Sequence, residues 1–203
     1  MSLGIQWFHH TVTVQENATP EWSMKVERWY QLDLPAFALT ETFWRHRETL
    51  KSRPETIFLA SPSASNLSDS QFTLSEPPSP AKFVHTLPNI RAASVLQVMN
   101  WSGQVYCLQN DPWTVLTALA EGLREVRGSG QESWIMSVSE SDGNITGHIF
   151  RLSPDASGCE LKIVENASQN MANAALHDKD LFFWLSAASV RTLSAREFDL
   201  SRQ

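Results

Sequence analysis

The sequence predicts an α/β protein built on a mixed sheet with helices on both faces. Residues Thr56–Ala60 form a short, continuous apolar run, which is typical of a strand buried on both sides. A predicted strand at Gly103–Gln109 is followed by an amphipathic helix at Pro112–Arg127 and a strand at Ser133–Ser139. Because strand, helix and strand in this order form a right-handed crossover, these two strands are expected to be parallel in one sheet.

Elements on both sides of the crossover complete this prediction. Ile145–Leu152 and Glu160–Val164 are expected to form paired outer strands. At 203 residues, we expect one domain, made of an N-terminal cap at 1–54, a core at 55–141, and outer strands with C-terminal elements at 142–203. The cap is expected to be irregular and to contain a possible strand at Ile5–Val14, a short helix or lid at Pro20–Tyr30, and a helix at Phe37–Leu50.

Composition and charge argue against several classes of function. The net charge is −6 and the acidic and basic residues are interleaved, so no cationic face for nucleic acid is expected. No apolar run approaches the roughly 20 residues of a membrane span, and no signal peptide is expected, so we predict a cytoplasmic protein. Cys107 and Cys159 match no zinc-binding spacing and are interpreted as reduced thiols. Cys107 lies within a predicted strand and is expected to be buried. No metal or cofactor is predicted.

The helix of the crossover carries a regular apolar stripe. This side is predicted to pack in the core, and burial at a subunit interface is the alternative. The eight Trp residues keep a partner subunit under consideration, because Trp is enriched at contacts between chains as well as in cores. A second helix is expected to begin after Asn89 as N-cap and to continue to about Asn100. The stripe comprises Val115, Leu116, Leu119, Ala120, Leu123 and Val126.

The turn between the crossover strand and its helix contains Asn110, Asp111, Pro112 and Trp113. A tight strand-to-helix turn is where α/β enzymes commonly present a nucleophile, since the helix N-terminus offers unpaired N–H groups and a positive dipole end. This turn holds no Cys, Ser or Thr. One interpretation is an ordinary helix start with Asp111 as N-cap and Pro112 as first residue. The other is an active-site elbow without its nucleophile.

Residues 79–140 resemble the β-ketoacyl synthase group of the thiolase fold. The resemblance lies in the order of parts: a Pro-Asn pair that opens a helix, Gly103 before a strand, an elbow, an Ala/Leu-rich helix, and a strand that ends in Ser or Glu. It covers roughly Thr56–Ser139. In that family the elbow presents a cysteine that accepts an acyl chain from an acyl carrier protein. Aligning Gly103 and Leu116–Leu119 with the family pattern places this nucleophile at Pro112.

The resemblance also implies an incomplete enzyme. Condensing members of the family carry two tandem halves and two catalytic histidines, each in a Gly-rich motif of the second half. Here His148 lies in a predicted strand and His177 in a charged loop, and neither is in such a motif. The implied fold is therefore a truncated thiolase-like fold, or half ketosynthase. The closest likeness is to short N-terminal-like ketosynthase domains, which include chain-length-factor-like partners in aryl polyene pathways.

Such a protein would be catalytically silent and would pair with an active β-ketoacyl synthase, meeting acyl carrier protein through that complex. The resemblance implies that Asn110, Asp111, Pro112 and Trp113 shape the acyl tunnel of the complex. It also implies that the helix after the elbow lies at the dimer interface. The interface residues would then be Val115, Leu116, Leu119 and Leu123.

Other functional residues are weaker candidates. His85 and Asn89 flank a Leu-Pro pair, and we expect them to cap or close a turn. His9 and His10 are expected to point to opposite faces of a strand, which disfavours a shared metal. Two alternatives remain open: a standalone acyl-processing enzyme that uses His85 or His148 as acid-base residue, and a homodimeric binding module. Cations that could meet an acidic carrier protein, or simply be solvated, are Lys82, Arg124 and Arg127.

Overall fold

The computed structural model describes residues 3–13, 19–61, 70, 72–74, 77, 87, 89–109, 114–141, 144–154, 159–164 and 192–194. Within these residues, one mixed sheet contains seven strands in the spatial order β3-β2-β4-β5-β1-β6-β7. The strands are β1 (Leu3–Thr13), β2 (Thr56–Ala60), β3 (Gln104–Leu108), β4 (Ser133–Ser141), β5 (Asn144–Ser153), β6 (Cys159–Val164) and β7 (Thr192–Ser194).

The sheet combines parallel and antiparallel pairing. β2 lies between β3 and β4 and is parallel to both, so the two predicted crossover strands are parallel in one sheet. β4 and β5 form an antiparallel hairpin. β1 pairs antiparallel with β5 on one side and with β6 on the other, and β6 is parallel to β7. The predicted mixed α/β architecture is confirmed.

The N-terminal strand has a larger role than the sequence indicated. β1 pairs with β5 from Gly4↔Ser153 to Thr13↔Asn144 and lies inside the sheet. The expectation of an irregular cap is therefore wrong for this segment, although the proposed strand within it is present. β5, expected as an outer strand, is likewise in the middle of the sheet. Long-range pairing decides both positions, and a local pattern does not report it.

Three α-helices within the described residues pack on the sheet: α1 (Leu34–His46), α2 (Ile90–Met99) and α3 (Thr114–Ser129). The side chain of Asp33 caps α1 by accepting a hydrogen bond from Ala36 N at 2.9 Å. Asn89 precedes α2 as predicted, but its side chain makes no capping bond. In place of the proposed helix or lid at Pro20–Tyr30, the structure has two short 3₁₀ turns. The first is Glu21–Lys25, and the second, Trp29–Gln31, ends one residue beyond the predicted range.

The helices lie on both faces of the sheet, as predicted. Alternate residues of β2 show this: Phe58 and Ala60 pack with α3, whereas Ile57 and Leu59 pack with α1 and α2. Six of the eight Trp residues are described, and they build these cores: Trp22 and Trp134 are fully buried, and the others pack partly buried against them. Those six side chains therefore mainly stabilise the chain itself. The other four are Trp7, Trp29, Trp44 and Trp101.

α1 lies in close contact with the sheet at Gly147 of β5. A Cβ atom on this residue would lie 2.5 Å from Ala38 O and 2.6 Å from Thr42 Oγ1. Thr42 Oγ1 donates to Ala38 O at 2.8 Å and lies 3.2 Å from Gly147 O. The absence of a side chain at this position therefore allows the helix to rest directly on the strand.

β3 is an edge strand with an exposed outer side. Tyr106 is 48% exposed and Cys107 is also exposed, although the sequence led us to expect Cys107 to be buried. The cause is position: β3 pairs with β2 on one side, and no strand within the described ranges pairs with its other side. An apolar composition, QVYCL, thus occupies a sheet edge rather than the sheet centre.

Candidate functional site

The predicted elbow lies outside the described residues. This applies to all four members, Asn110, Asp111, Pro112 and Trp113. The structure describes both flanks: β3 ends at Leu108, and α3 begins at Thr114, whose side chain is buried. The strand before the elbow and the helix after it are therefore present, and the roles given to the four residues stay predictions.

The predicted interface residues on α3 are buried within the chain itself. Val115 and Leu119 have no exposed surface, Leu123 is 1% exposed and Leu116 is 3% exposed. They pack against Phe58, Ile135 and other residues of the sheet in one core cluster. This is the core-packing alternative for the stripe. A partner subunit would not reach these side chains while α3 stays packed on its own sheet.

A histidine cluster lies on the α3 face of the sheet. Trp7 Nε1 donates a hydrogen bond to His148 Nδ1 at 3.3 Å, and His148 Nε2 lies 2.8 Å from Ser139 Oγ. His148 is buried, with 3% of its surface exposed. The Trp7 ring is stacked against His148 at 5.9 Å and against His9 at 4.5 Å, so the three rings form one aromatic cluster.

The Trp7 bond determines the protonation state of His148. Because the indole N–H is a donor only, Nδ1 of His148 must accept, and the neutral ring then carries its proton on Nε2. That proton points to Ser139 Oγ, so His148 cannot remove a proton from Ser139. Burial, with a smaller contribution from the nearby His9, lowers the pKa of His148 from 6.5 to about 3. With both ring nitrogens in hydrogen bonds, the neutral imidazole of His148 stabilises the fold and does not act as a base.

Cys107 does not offer a substitute nucleophile. Partial desolvation raises the pKa of its thiol, which disfavours the reactive thiolate. Its paired residue on β2 is Leu59, which packs on the face of α1 and α2. Cys107 therefore lies on the sheet face opposite to α3, whose N-terminus follows the elbow.

The remaining candidates are dispersed. His9 and His10 project to opposite faces of β1, and no group of three His, Cys, Asp or Glu side chains that could hold a metal is found in the described part of the chain. Arg124 is exposed and pairs with Glu121 on α3, and Arg127 is exposed in the last turn of that helix. Lys82, His85 and His177 lie outside the described residues.

Sequence reasoning missed Trp7 and Ser139, which determine what His148 can do. Trp7 belongs to β1 and Ser139 to β4, and His148 on β5 lies between them. The alternation of each strand is visible in the sequence, but the cross-strand register is not. No helix in the described part of the chain is long and apolar enough to cross a bilayer.

Comparison with known proteins identifies the fold. No protein-family model matches the sequence, and no curated protein matches it significantly. A chain of the ketosynthase ApeO in complex with its chain length factor ApeC from Xenorhabdus doucetiae is similar in structure, with a TM-score of 0.56 and 11% identity over 77% of this chain and 81% of that chain. The fold is therefore the thiolase-like α/β fold of ketosynthases.

A second solved structure, β-ketoacyl-[acyl carrier protein] synthase III from Thermus thermophilus, also matches. Its TM-score is 0.39 and its identity 14%, over 78% of this chain and 52% of that chain.

Proposed function

We propose that this chain is a catalytically silent, chain-length-factor-like subunit that pairs with an active β-ketoacyl synthase in the cytoplasm and shapes its acyl tunnel. One observation carries the proposal: the chain shares its fold with a chain from a ketosynthase complexed with its chain length factor. The pairing, the silent role and the contribution of acyl carrier protein through the complex are inferences from this likeness.

The similarity in fold covers 77% of this chain and 81% of the matched chain, so it is not confined to one segment of either. This extent supports the comparison with the ketosynthase complex on which the proposal rests.

The chemistry of the described residues supports a silent role. Acyl transfer to a protein needs a thiolate or an activated hydroxyl group. Neither is provided by Cys107, whose thiol pKa is raised, or by Ser139, whose neighbour His148 is a donor to it. At the elbow, Pro112 occupies the nucleophile position that the resemblance implies and has no reactive side-chain atom.

The edge strand β3 is the surface that we assign to the partner. An exposed edge presents unpaired N–H and C=O groups, and natural proteins commonly protect such edges with charged residues or proline. β3 has neither: its sequence is QVYCL, with Tyr106 and Cys107 exposed. A strand of the ketosynthase added to this edge would cover these side chains and continue the sheet. The stripe of α3 would stay buried in the core of this chain and would stabilise the sheet that carries the interface.

Co-purification tests the pairing. This chain is expressed with the ketosynthase and the acyl carrier protein encoded nearest to it, and the mass and stoichiometry of the eluted species are determined. We expect a one-to-one complex with the ketosynthase and no condensation by this chain alone. Condensing activity of the purified chain, or its elution as a lone monomer beside the ketosynthase, would contradict the proposal.

Substitutions on β3 test the assigned surface. Tyr106→Lys adds a charge to the open edge at a residue that is already half exposed, so the fold is expected to persist. We expect loss of the complex with little change in the thermal unfolding midpoint of this chain. Met24→Lys is the matched control, since Met24 is 95% exposed and lies away from β3. Equal effects of both substitutions would exclude β3 as the partner surface.

Product length tests the tunnel role. If Trp113 limits the tunnel, Trp113→Ala in the assembled complex will shift the product distribution towards longer chains without dissociating the subunits. An unchanged distribution would exclude Trp113 from the tunnel and would leave the proposed pairing intact.

The standalone-enzyme alternative requires a side chain that carries protons. His148 does not meet this requirement, because it is buried and held in its neutral form.

A further inference from the structure

A cationic pocket lies at the end of the sheet opposite to the elbow. It has a volume of about 260 Å³ and is lined by the end of the first 3₁₀ turn, the ends of α1 and α2, and the connection from α1 to β2. Its apolar lining residues include Phe43 and Val98. This connection enters β2 at its first residue, Thr56, whereas the elbow follows the last residue of the parallel strand β3.

Four cations converge on this pocket although the chain has a net charge of −6. Lys25, Arg47, Lys51 and Arg53 all line it, and none of its lining residues is acidic. The Arg47 guanidinium stacks 4.1 Å from the Trp44 ring centroid, and Lys25 Nζ lies 5.6 Å from it. Two cations thus share one aromatic ring, which forms a wall of the pocket.

Nearby carboxylates neutralise only part of this charge. Glu48 lies 3.1 Å from Lys51 Nζ and 4.0 Å from Arg47 Nε, and Glu21 accepts the Trp44 indole N–H at 2.9 Å. Glu132 accepts from Ser52 at the pocket wall but forms an ion pair with Arg151. Glu48 therefore offsets part of the charge of Lys51 and Arg47, whereas the charged side chains that line the pocket itself are all cationic.

Helix capping explains one of the cations. Arg47 Nη1 donates to Trp44 O at 2.7 Å, which satisfies a carbonyl in the last turn of α1 and suits the negative end of that helix. Lys51 and Arg53 lie beyond the helix, in the connection to β2, and have no carbonyl to cap in α1. Arg53 makes no ion pair with any residue in the described ranges. These two cations require another explanation.

We propose that this pocket binds a small phosphate monoester whose organic part is aromatic or apolar. A phosphate monoester carries up to two negative charges at neutral pH, which suits a pocket whose charged lining residues are all cationic. Lys and Arg are the side chains that bind phosphate oxygens, with Arg able to bind two at once. The organic part of the ligand would lie against the apolar lining residues beside Trp44. This site is independent of the proposed pairing with a ketosynthase.

Calorimetric titration with phenyl phosphate tests the site, with inorganic phosphate and phenol as the two partial ligands. We expect phenyl phosphate to bind below about 1 mM and each partial ligand at least about tenfold more weakly, because neither fills both parts of the pocket. Trp44 fluorescence is expected to change on binding. No heat and no fluorescence change up to about 10 mM phenyl phosphate would overturn the proposal.

The double variant Lys51→Gln/Arg53→Gln tests the cations. Lys51 is 72% exposed, so folding is expected to be retained, and an unchanged melting midpoint checks this. We expect at least about tenfold weaker binding of phenyl phosphate. Arg124→Gln is the matched control, since Arg124 is 59% exposed on α3, and its effect is expected to stay within about twofold. Equal losses in both variants would indicate non-specific attraction and overturn the site. Binding of a poly-glutamate peptide but not of phenyl phosphate would also overturn it.

Discussion

Two polar clusters lie on the hairpin formed by β4 and β5, one on each face of the sheet. On the side of α1 and α2, Glu132 forms an ion pair with Arg151 at 2.8 Å and accepts hydrogen bonds from Ser52 and Trp134. On the α3 side, His148 is held between Trp7 and Ser139. The first cluster is charged and the second is neutral, although both are largely buried.

The difference between the clusters follows from their hydrogen-bonding partners. Glu132 and Arg151 have opposite charges in direct contact, so both can stay ionised with little exposure to water. His148 has hydrogen bonds to two neutral partners, Trp7 and Ser139, and its burial disfavours the positive form of the ring. We infer that the first cluster holds the N-terminal end of β4 in place. The second cluster makes the fold sensitive to acid.

Removing the carboxylate is expected to have the largest effect on this comparison. Glu132→Ala leaves the Arg151 guanidinium, which is 20% exposed, without its counter-charge. It also removes the acceptor for Ser52 and Trp134. We expect the free energy of unfolding in urea to fall by about 3 kcal/mol. A loss below about 1 kcal/mol would show that water compensates Arg151 and that the cluster is weakly coupled to folding.

Acidification is expected to weaken the second cluster. The native pKa of His148 is about 3 and its unfolded value is 6.5, so the unfolded chain binds a proton between these values and the native chain does not. The stability contributed by neutral His148 is complete above pH 6.5 and falls as the pH drops towards 3. Between about pH 7.5 and about pH 5, the parent chain should lose about 2 kcal/mol more than a His148→Gln variant, which cannot titrate. Parallel urea curves with equal losses would contradict the neutral histidine.

The tautomer of His148 gives a smaller but more specific prediction. Ser139→Ala removes the hydroxyl acceptor for the Nε2 proton and is expected to cost about 1 kcal/mol. Long-range ¹H–¹⁵N NMR of the parent chain should show Nε2 protonated and Nδ1 unprotonated, because Trp7 donates to Nδ1. A spectrum with the proton on Nδ1 would make His148 a possible base towards Ser139 and reverse our interpretation of the cluster.

An exposed ion pair provides the lower limit of the comparison. Glu48 and Lys51 lie 3.1 Å apart, with 76% and 72% of their side chains exposed. Glu48→Gln is expected to change the free energy of unfolding by less than about 0.5 kcal/mol, since solvent screens the pair. The ratio of this value to the Glu132→Ala value measures how far burial raises the contribution of an ion pair.

Elements with strong local patterns could be predicted from the sequence. The run Thr56–Ala60 is a fully buried strand, and the stripe of α3 has the period that the sequence indicated. Both signals are local: an uninterrupted apolar run, or a 3.6-residue period, reports burial without knowledge of the neighbours. The central position of β1 and the edge position of β3 were not predictable in this way, because each depends on pairing with residues far away in the chain.

The candidate site was less predictable than the fold. The sequence selected His148 but gave it no partners, and it selected Cys107 as buried when the strand is at an edge. The cationic pocket combines Lys25 with Arg47 and Arg53 of the connection from α1 to β2, and the sequence does not show that these two segments meet. Polar clusters of this kind form where elements that are distant in the sequence meet, so no periodic pattern in the sequence predicts them.

The sequence by itself determined the α/β class, the crossover and the apolar stripe of α3. These features arise from backbone propensity and side-chain burial within a few residues. The tertiary structure decided which strand stays open, which face buries His148 and which cations share a pocket. Each of these depends on register and strand order, since a shift of one residue in a strand exchanges the side chains on its two faces.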